Sequence, residues 1–152
     1  MNSAPPDEHL AFLVHLAAKR LRQEFARRSA DFDLTPSTAR GLAFLGRRPG
    51  ASLKALAEAL EVQPMSVVRV VDELESRGLV RREPDPRDRR ALCLFLTPAG
   101  GSVVERIWQT LDAIMAEACV AMRAEERAVL VRGLQALTAG MERFGATEVA
   151  HG

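Results

Sequence analysis

The sequence predicts a mainly α-helical fold with one small β-hairpin, and three observations predict it. Apolar residues recur at helical spacing through most of the chain. Paired cap-and-proline signals mark where helices start. One charged stretch, Asp85-Pro86-Arg87-Asp88-Arg89-Arg90, is flanked by two short β-capable runs, Leu79-Val80-Arg81-Arg82-Glu83 and Ala91-Leu92-Cys93-Leu94-Phe95-Leu96. The polar connector with its proline reads as a hairpin tip that projects arginines.

Each element follows in order. Leu10, Leu13, Val14, Ala17, Leu21 and Phe25 lie at i, i+3, i+4, i+7 spacings, so residues 8–30 read as a long amphipathic helix with one buried face. Thr35-Pro36 supplies an N-cap and a proline at the first helical position, where the missing N–H costs nothing. The helix it opens spans 36–46 and stops at Arg47-Arg48-Pro49-Gly50. Ser52 caps a third helix with the apolar stripe Leu53, Leu56, Ala57 and Leu60. After a break at Glu61-Val62-Gln63, Pro64 opens a fourth. Val67, Val71 and Leu74 share its packing face, Ser66, Arg69, Glu73 and Arg77 lie on others, and Gly78 ends it.

In the second hairpin strand Leu92, Leu94 and Leu96 alternate with Ala91, Cys93 and Phe95, which anchors one side of the ribbon on the helices. Thr97-Pro98 begins a long helix with Val104, Ile107, Leu111, Ile114, Ala118 and Met122 on one seam. The last helix aligns Leu130, Leu134, Leu137, Met141 and Phe144. A compact lobe of residues 34–96 buries limited area, so the three long helices at the chain ends call for a shared partner, and a homodimer supplies one. The expected organisation is one domain over 1–152. Within it, 34–96 forms a winged helix-turn-helix lobe, and 8–31 and 98–145 form a helical dimerisation lobe.

The bulk numbers narrow the function classes. With 152 residues, 47% hydrophobic and 27% charged, the chain suits one packed core. No run approaches the roughly 18 apolar residues of a membrane span, and Met1 to Glu8 lacks a signal pattern, so a cytoplasmic protein with no membrane association is expected. The three histidines, His9, His15 and His151, stand far apart with no nucleophile beside them. No phosphate loop or metal-binding spacing is present, so neither an enzyme nor a metal or cofactor site is expected. The net charge is only +1, yet it is unevenly spread. Residues 77–90 carry six arginines against three acids, whereas residues 105–148 carry seven acids against five arginines. That gradient would orient the molecule on a polyanion.

Two short helices joined by a tight turn and followed by a ribbon have the order of a helix-turn-helix with a wing, which fits double-stranded DNA. The first turns of the fourth helix would enter the major groove, placing Gln63, Pro64, Met65, Ser66, Val68 and Arg69 at base edges. Gln63 can pair with adenine, Arg69 with guanine or a phosphate, and Met65 or Val68 can touch a thymine methyl. At the wing, Arg87, Asp88, Arg89 and Arg90 suit a narrow minor groove, with Asp88 holding Arg90 extended by a salt bridge.

Residues 56–80, from Leu56-Ala57-Glu58 through Pro64-Met65-Ser66-Val67-Val68-Arg69 to Arg77-Gly78-Leu79-Val80, resemble the turn and recognition helix of the MarR family of bacterial transcriptional regulators. Asp85 to Arg90 followed by Leu96-Thr97-Pro98-Ala99-Gly100 resembles its wing and exit. The resemblance covers roughly residues 8–145. It implies an obligate homodimer on a pseudo-palindromic operator, action as a repressor, and control by a small aromatic acid or phenol between the dimerisation helices and the DNA-binding lobe. Phe12, His15, Lys19, Arg22 and Arg40 fall where that effector pocket is expected, and the arginines suit a carboxylate. The position of Ala39 is often a large aromatic in similar-looking relatives, a departure at the pocket. Two alternatives stay open: a helical dimeric module that binds another protein, and a redox-responsive regulator using Cys93 or Cys119.

Overall fold

The computed structural model describes residues 9–86, 88 and 91–149, with side chains through 143. Among these residues six α-helices, one 3-10 turn and three short strands follow one another. They are α1 (Leu10–Arg28), η1 (Ala30–Phe32), α2 (Pro36–Arg47), β1 (Ala51–Ser52), α3 (Leu53–Leu60), α4 (Pro64–Ser76), β2 (Val80–Pro84), β3 (Leu92–Leu96), α5 (Pro98–Ala118) and α6 (Ala124–Val149). The chain divides into two compact units, Met1–Ile114 and Met115–Gly152. No described helix is long and apolar enough to cross a membrane.

The helix starts form as local chemistry requires. Thr35 Oγ1 accepts the Thr38 N–H at 3.2 Å, Ser52 Oγ accepts the Ala55 N–H at 3.1 Å, and Thr97 Oγ1 accepts the Gly100 N–H at 3.0 Å. Each satisfies a donor that the helix itself leaves unpaired. The stops are equally local. At the end of α4, Gly78 takes φ +67° while the Gly78 and Leu79 N–H groups return to the carbonyls of Glu75 and Leu74, both at 2.9 Å. The same pair of bonds closes α3, but there Glu61 holds the left-handed position at φ 55°, a conformation costing roughly 1 kcal/mol for a residue with a Cβ.

The core of the first unit gathers Leu42 and Leu45 from α2, Leu56 and Leu60 from α3, and Val67, Val71 and Leu74 from α4. Val80, Leu94, Val104 and Ile107 complete it from the strands and α5. The sheet order is β1-β3-β2, all antiparallel, with Arg82 opposite Leu94 and Ala51 opposite Leu94 on its other edge. Thus the hairpin gains a third strand that the sequence reading lacks. Two residues are too few to show alternation, and the strand exists because Gly50, at φ +79°, turns its N–H onto the Leu94 carbonyl at 2.9 Å.

Three expectations need adjusting. No residue of α1 is buried; its apolar face is exposed at Leu10 and Leu13, and only its C-terminal end, at Phe25, packs against the core. The α5 seam is not uniform: Val104 and Ile107 belong to the core, whereas Met122 lies beyond the helix in the turn before α6. In the second unit α6 leaves Leu130, Leu134 and Met141 exposed along one seam, and the Phe144 side chain lies outside the described residues.

Candidate nucleic-acid interface

The helix α4 has two chemically distinct sides. Val67, Val71 and Leu74 are 0–1% exposed, so that side is fixed in the core and contributes nothing to recognition. Around the first turn, Gln63, Pro64, Met65, Ser66 and Arg69 are exposed, and Val68 is half-buried. Met65 is 74% exposed, unusual for so apolar a side chain. Gln63 occupies the N-cap without using its side chain as a cap, which leaves its amide for another partner. Arg69 has no hydrogen bond or ion pair among the described residues.

Other arginines of the basic stretch are already engaged. Arg77 donates to the Phe32 and Asp33 carbonyls. Arg81 pairs with Glu83 at 2.6 Å, donates to the Leu96 carbonyl at 3.0 Å and lies 5.3 Å from the Phe95 ring centroid. Arg82 reaches Glu75 at 2.7 Å and also Asp72. Three of the six arginines behind the basic surplus therefore hold the lobe together instead of projecting from it. Sequence reading missed these links. Their only signal is the i, i+3 pair of acids Asp72 and Glu75 on the outer side of α4, ahead of a strand-borne arginine.

At the wing, the Asp85 N–H donates to the Ala91 carbonyl at 3.0 Å and the Ala91 N–H to the Asp88 carbonyl at 2.9 Å, which closes the turn. Asp88 is exposed. Arg87, Arg89 and Arg90, and with them the expected Asp88–Arg90 pair, lie outside the described residues.

A cavity of about 230 Å³ sits in the first unit between α1, η1, α2 and α5, lined mainly by apolar side chains such as Leu21, Phe25, Ala39, Ile107 and Leu111. Arg22 and Arg40 both line it; Phe12, His15 and Lys19 do not, standing exposed further up α1. The two arginines differ. Arg40 donates to the Leu60 carbonyl at 3.2 Å and the Ala59 carbonyl at 3.4 Å, capping the end of α3. Arg22 has no polar partner among the described residues, so it is the cation available to an anion in the cavity. Nearby on α1, Arg27 and Arg28 are spent on Glu24, whose carboxyl their hydrogen bonds hold down to about 2.

Neither cysteine has the setting of a reactive thiolate. Loss of solvent, reinforced by the Asp85 charge and hydrogen bond, pushes the half-buried Cys93 thiol up, and Cys119 is buried.

Residues 32–91 match the model of the MarR family. A transcriptional regulatory protein assigned to the hcr operon of Thauera aromatica is 39% identical over 90 residues, which cover 59% of this chain; the match spans about half of that relative, 54% of its length. Among solved structures, a MarR-family transcriptional regulator from Silicibacter pomeroyi superposes with a TM-score of 0.78 at 25% identity, covering 92% of this chain and 96% of its own. The transcriptional repressor CouR, bound to a 23-mer DNA duplex, gives a TM-score of 0.73 at 25% identity over 91% of this chain and 98% of CouR. BpsR of Bordetella bronchiseptica, whose DNA binding is regulated by 6-hydroxynicotinic acid, gives 0.72 at 25% identity over 90% and 98%.

Proposed function

We propose that this chain, which belongs to the MarR family of winged helix-turn-helix proteins, is a sequence-specific DNA-binding repressor in the cytoplasm that acts as a homodimer and is released by a small aromatic anion. One observation carries the reading: the first turn of α4 is held rigidly by its buried side while Gln63, Met65, Ser66 and Arg69 stand exposed on the other. That is the arrangement a major-groove helix needs, because base edges are read by side chains whose backbone is already fixed. The CouR complex is a family precedent for duplex binding and repression. Residues 34–96 would form the DNA-binding lobe, with Arg87, Asp88, Arg89 and Arg90 at the wing tip.

Dimerisation through residues 8–31 and 98–145 is supported by apolar side chains that the single chain leaves in water: Leu10 and Leu13 on α1, and Leu130, Leu134 and Met141 on α6. Two-fold symmetry then demands a pseudo-palindromic operator with half-sites about one helical turn, roughly 34 Å, apart. The apolar cavity with Arg22 on its wall suits a flat acid, the class to which the BpsR regulator belongs. Of the predicted pocket residues, Phe12, His15 and Lys19 would act from the approach to it and Arg40 through α3. An inducer releases DNA only if it binds the two dimer forms with different affinity.

The test is selection of a duplex from a random pool by the purified chain, followed by titration at two salt concentrations and sedimentation of the free protein. A palindromic selected site bound by two chains, with affinity falling as salt rises, is the expected result. A monomer in sedimentation, or equal weak binding to selected and shuffled duplexes, would reject it in favour of a protein-binding module.

A further inference from the structure

Between the cavity and α4 stands η1. On one side of it, Ser29 and Ala30 line the cavity beside Phe25 and Leu34. On the other, the Phe32 carbonyl accepts a hydrogen bond from the Arg77 guanidinium at 3.3 Å and the Asp33 carbonyl accepts a second. Arg77 is the C-cap residue of α4. These bonds span 44 and 45 residues of sequence, so they join segments that no local structure would hold together.

The turn is stiff enough to transmit a displacement. The Phe32 N–H returns to the Ser29 carbonyl at 2.9 Å, and Asp33 closes the turn in the left-handed region at φ 50°. The Phe32 ring meets Phe25 edge-on at 6.5 Å, while the Arg106 guanidinium lies 4.3 Å from its centroid. A three-residue turn whose ring is held by both Phe25 and Arg106 moves as a body. Anything that displaces Phe25 or Ala30 from within the cavity must carry the Phe32 and Asp33 carbonyls, and the bidentate fork of Arg77 follows them.

We propose that Arg77 is a positioning residue that transmits the state of the cavity to the recognition helix, an inference resting on the reading of α4 as the DNA-contacting element. A 13-residue helix is about 20 Å long, so a tilt of about 3° at its Arg77 end moves the Gln63 end by about 1 Å. Shifts of that size disrupt hydrogen bonds to base edges. Arg77 touches neither the cavity nor the proposed DNA face; it acts through η1.

The coupling can be tested without knowing the natural ligand. Ala39→Phe fills the cavity from α2, and Ala43→Leu is a smaller filler should the phenyl group not be accommodated. Each is combined with Arg77→Gln and Arg77→Lys. The dissociation constant for a selected duplex is measured together with amide hydrogen exchange over residues 72–79 in the DNA-free protein. With Arg77 in place, the fillers are expected to change duplex affinity about fivefold or more, and less than about twofold in the Arg77→Gln background. Arg77→Lys should be intermediate, because one ammonium does not serve two carbonyls as a fork does. Exchange near Arg77 should respond to the fillers only while the guanidinium is present. Equal responses in both backgrounds, or fillers that alter neither affinity nor exchange, would overturn the proposal. If no duplex is selected the DNA reading fails, and exchange alone then decides whether Arg77 couples cavity to helix.

Discussion

Arg82 on β2 and Glu75 on α4 are joined by a 2.7 Å hydrogen bond, and the other terminal nitrogen of the same guanidinium meets Asp72 one turn earlier. The Arg82 side chain is only 22% exposed, so this fork is partly shielded from water and ties β2, at the root of the hairpin, to α4. The two elements proposed to face DNA are thereby set in one orientation relative to each other. Replacing Arg82 by Met keeps the stem packed and removes the fork. We expect a loss of about 1 kcal/mol in urea unfolding together with weaker duplex binding. Full duplex affinity in this variant would show that wing and helix dock independently.

Two glycines, Gly78 after α4 and Gly100 in the first turn of α5, should fail for different reasons. A Cβ on Gly100 would lie 2.0 Å from the Leu79 carbonyl oxygen, a backbone atom that cannot swing aside because it also accepts the Thr97 N–H at 3.0 Å. Gly78 has open space around it but sits at φ +67°. Gly100→Ala should therefore cost about 2–4 kcal/mol by forcing α5 off the α4–β2 corner. Gly78→Ala should cost about 1 kcal/mol, the conformational penalty alone. Chemical denaturation of the two variants checks the order, and similar costs would contradict it.

The difference between local and distant causes explains what the sequence discloses. Thr35, Ser52 and Thr97 cap helices through bonds three residues long, so their roles are readable from neighbours alone, as are the stops at Gly78 and the core stripe Val67, Val71 and Leu74. Arg40 and Arg77 read as candidate ligand contact and surface charge because their partners, the Leu60 and Phe32 carbonyls, lie 20 and 45 residues away. Strand β1 is invisible since its pairing is decided by β3, more than forty residues on. Periodicity in α5 shows that one face is apolar, and only packing distinguishes Val104 in the core from a residue awaiting a partner.

Arg69 separates recognition from stability. It is exposed and without a polar partner among the described residues, so Arg69→Ala should leave the urea midpoint within about 0.5 kcal/mol of the parent. Duplex binding should weaken. If Arg69 reads guanine, the loss is about 1–3 kcal/mol on the selected site and base preference relaxes at one position. If it clamps a phosphate, binding falls alike on every sequence and the salt slope drops by about 0.9. Unchanged affinity would remove α4 from the interface as oriented above.

The two cavity arginines should divide between binding and folding. Arg22 has no polar partner among the described residues, so Arg22→Met should lower affinity for benzoate, measured calorimetrically, while leaving thermal stability nearly unchanged. Arg40 caps α3 through the Ala59 and Leu60 carbonyls, so Arg40→Met should lower stability by about 1 kcal/mol even with the cavity empty. The reverse pattern would make Arg40 the anion-binding residue.

Cys93 should prove a slow thiol. Removal from solvent is the larger cause of its raised pKa, and the neighbouring Asp85 carboxylate adds to it by opposing a second negative charge. Folding thus favours the protonated thiol. That contribution is intact below the ordinary value of 9.0 and is lost as the pH rises through the raised one. In a Cys119→Ser background, iodoacetamide at pH 7.5 should alkylate Cys93 more slowly than free cysteine, because the thiolate is the reacting form. Asp85→Asn should speed the reaction, and unfolding in urea should restore the free-cysteine rate. A folded protein that alkylates as fast as free cysteine would instead indicate an accessible thiolate on the wing strand, beside the proposed DNA-binding surface, and would bring oxidation back as the regulatory signal.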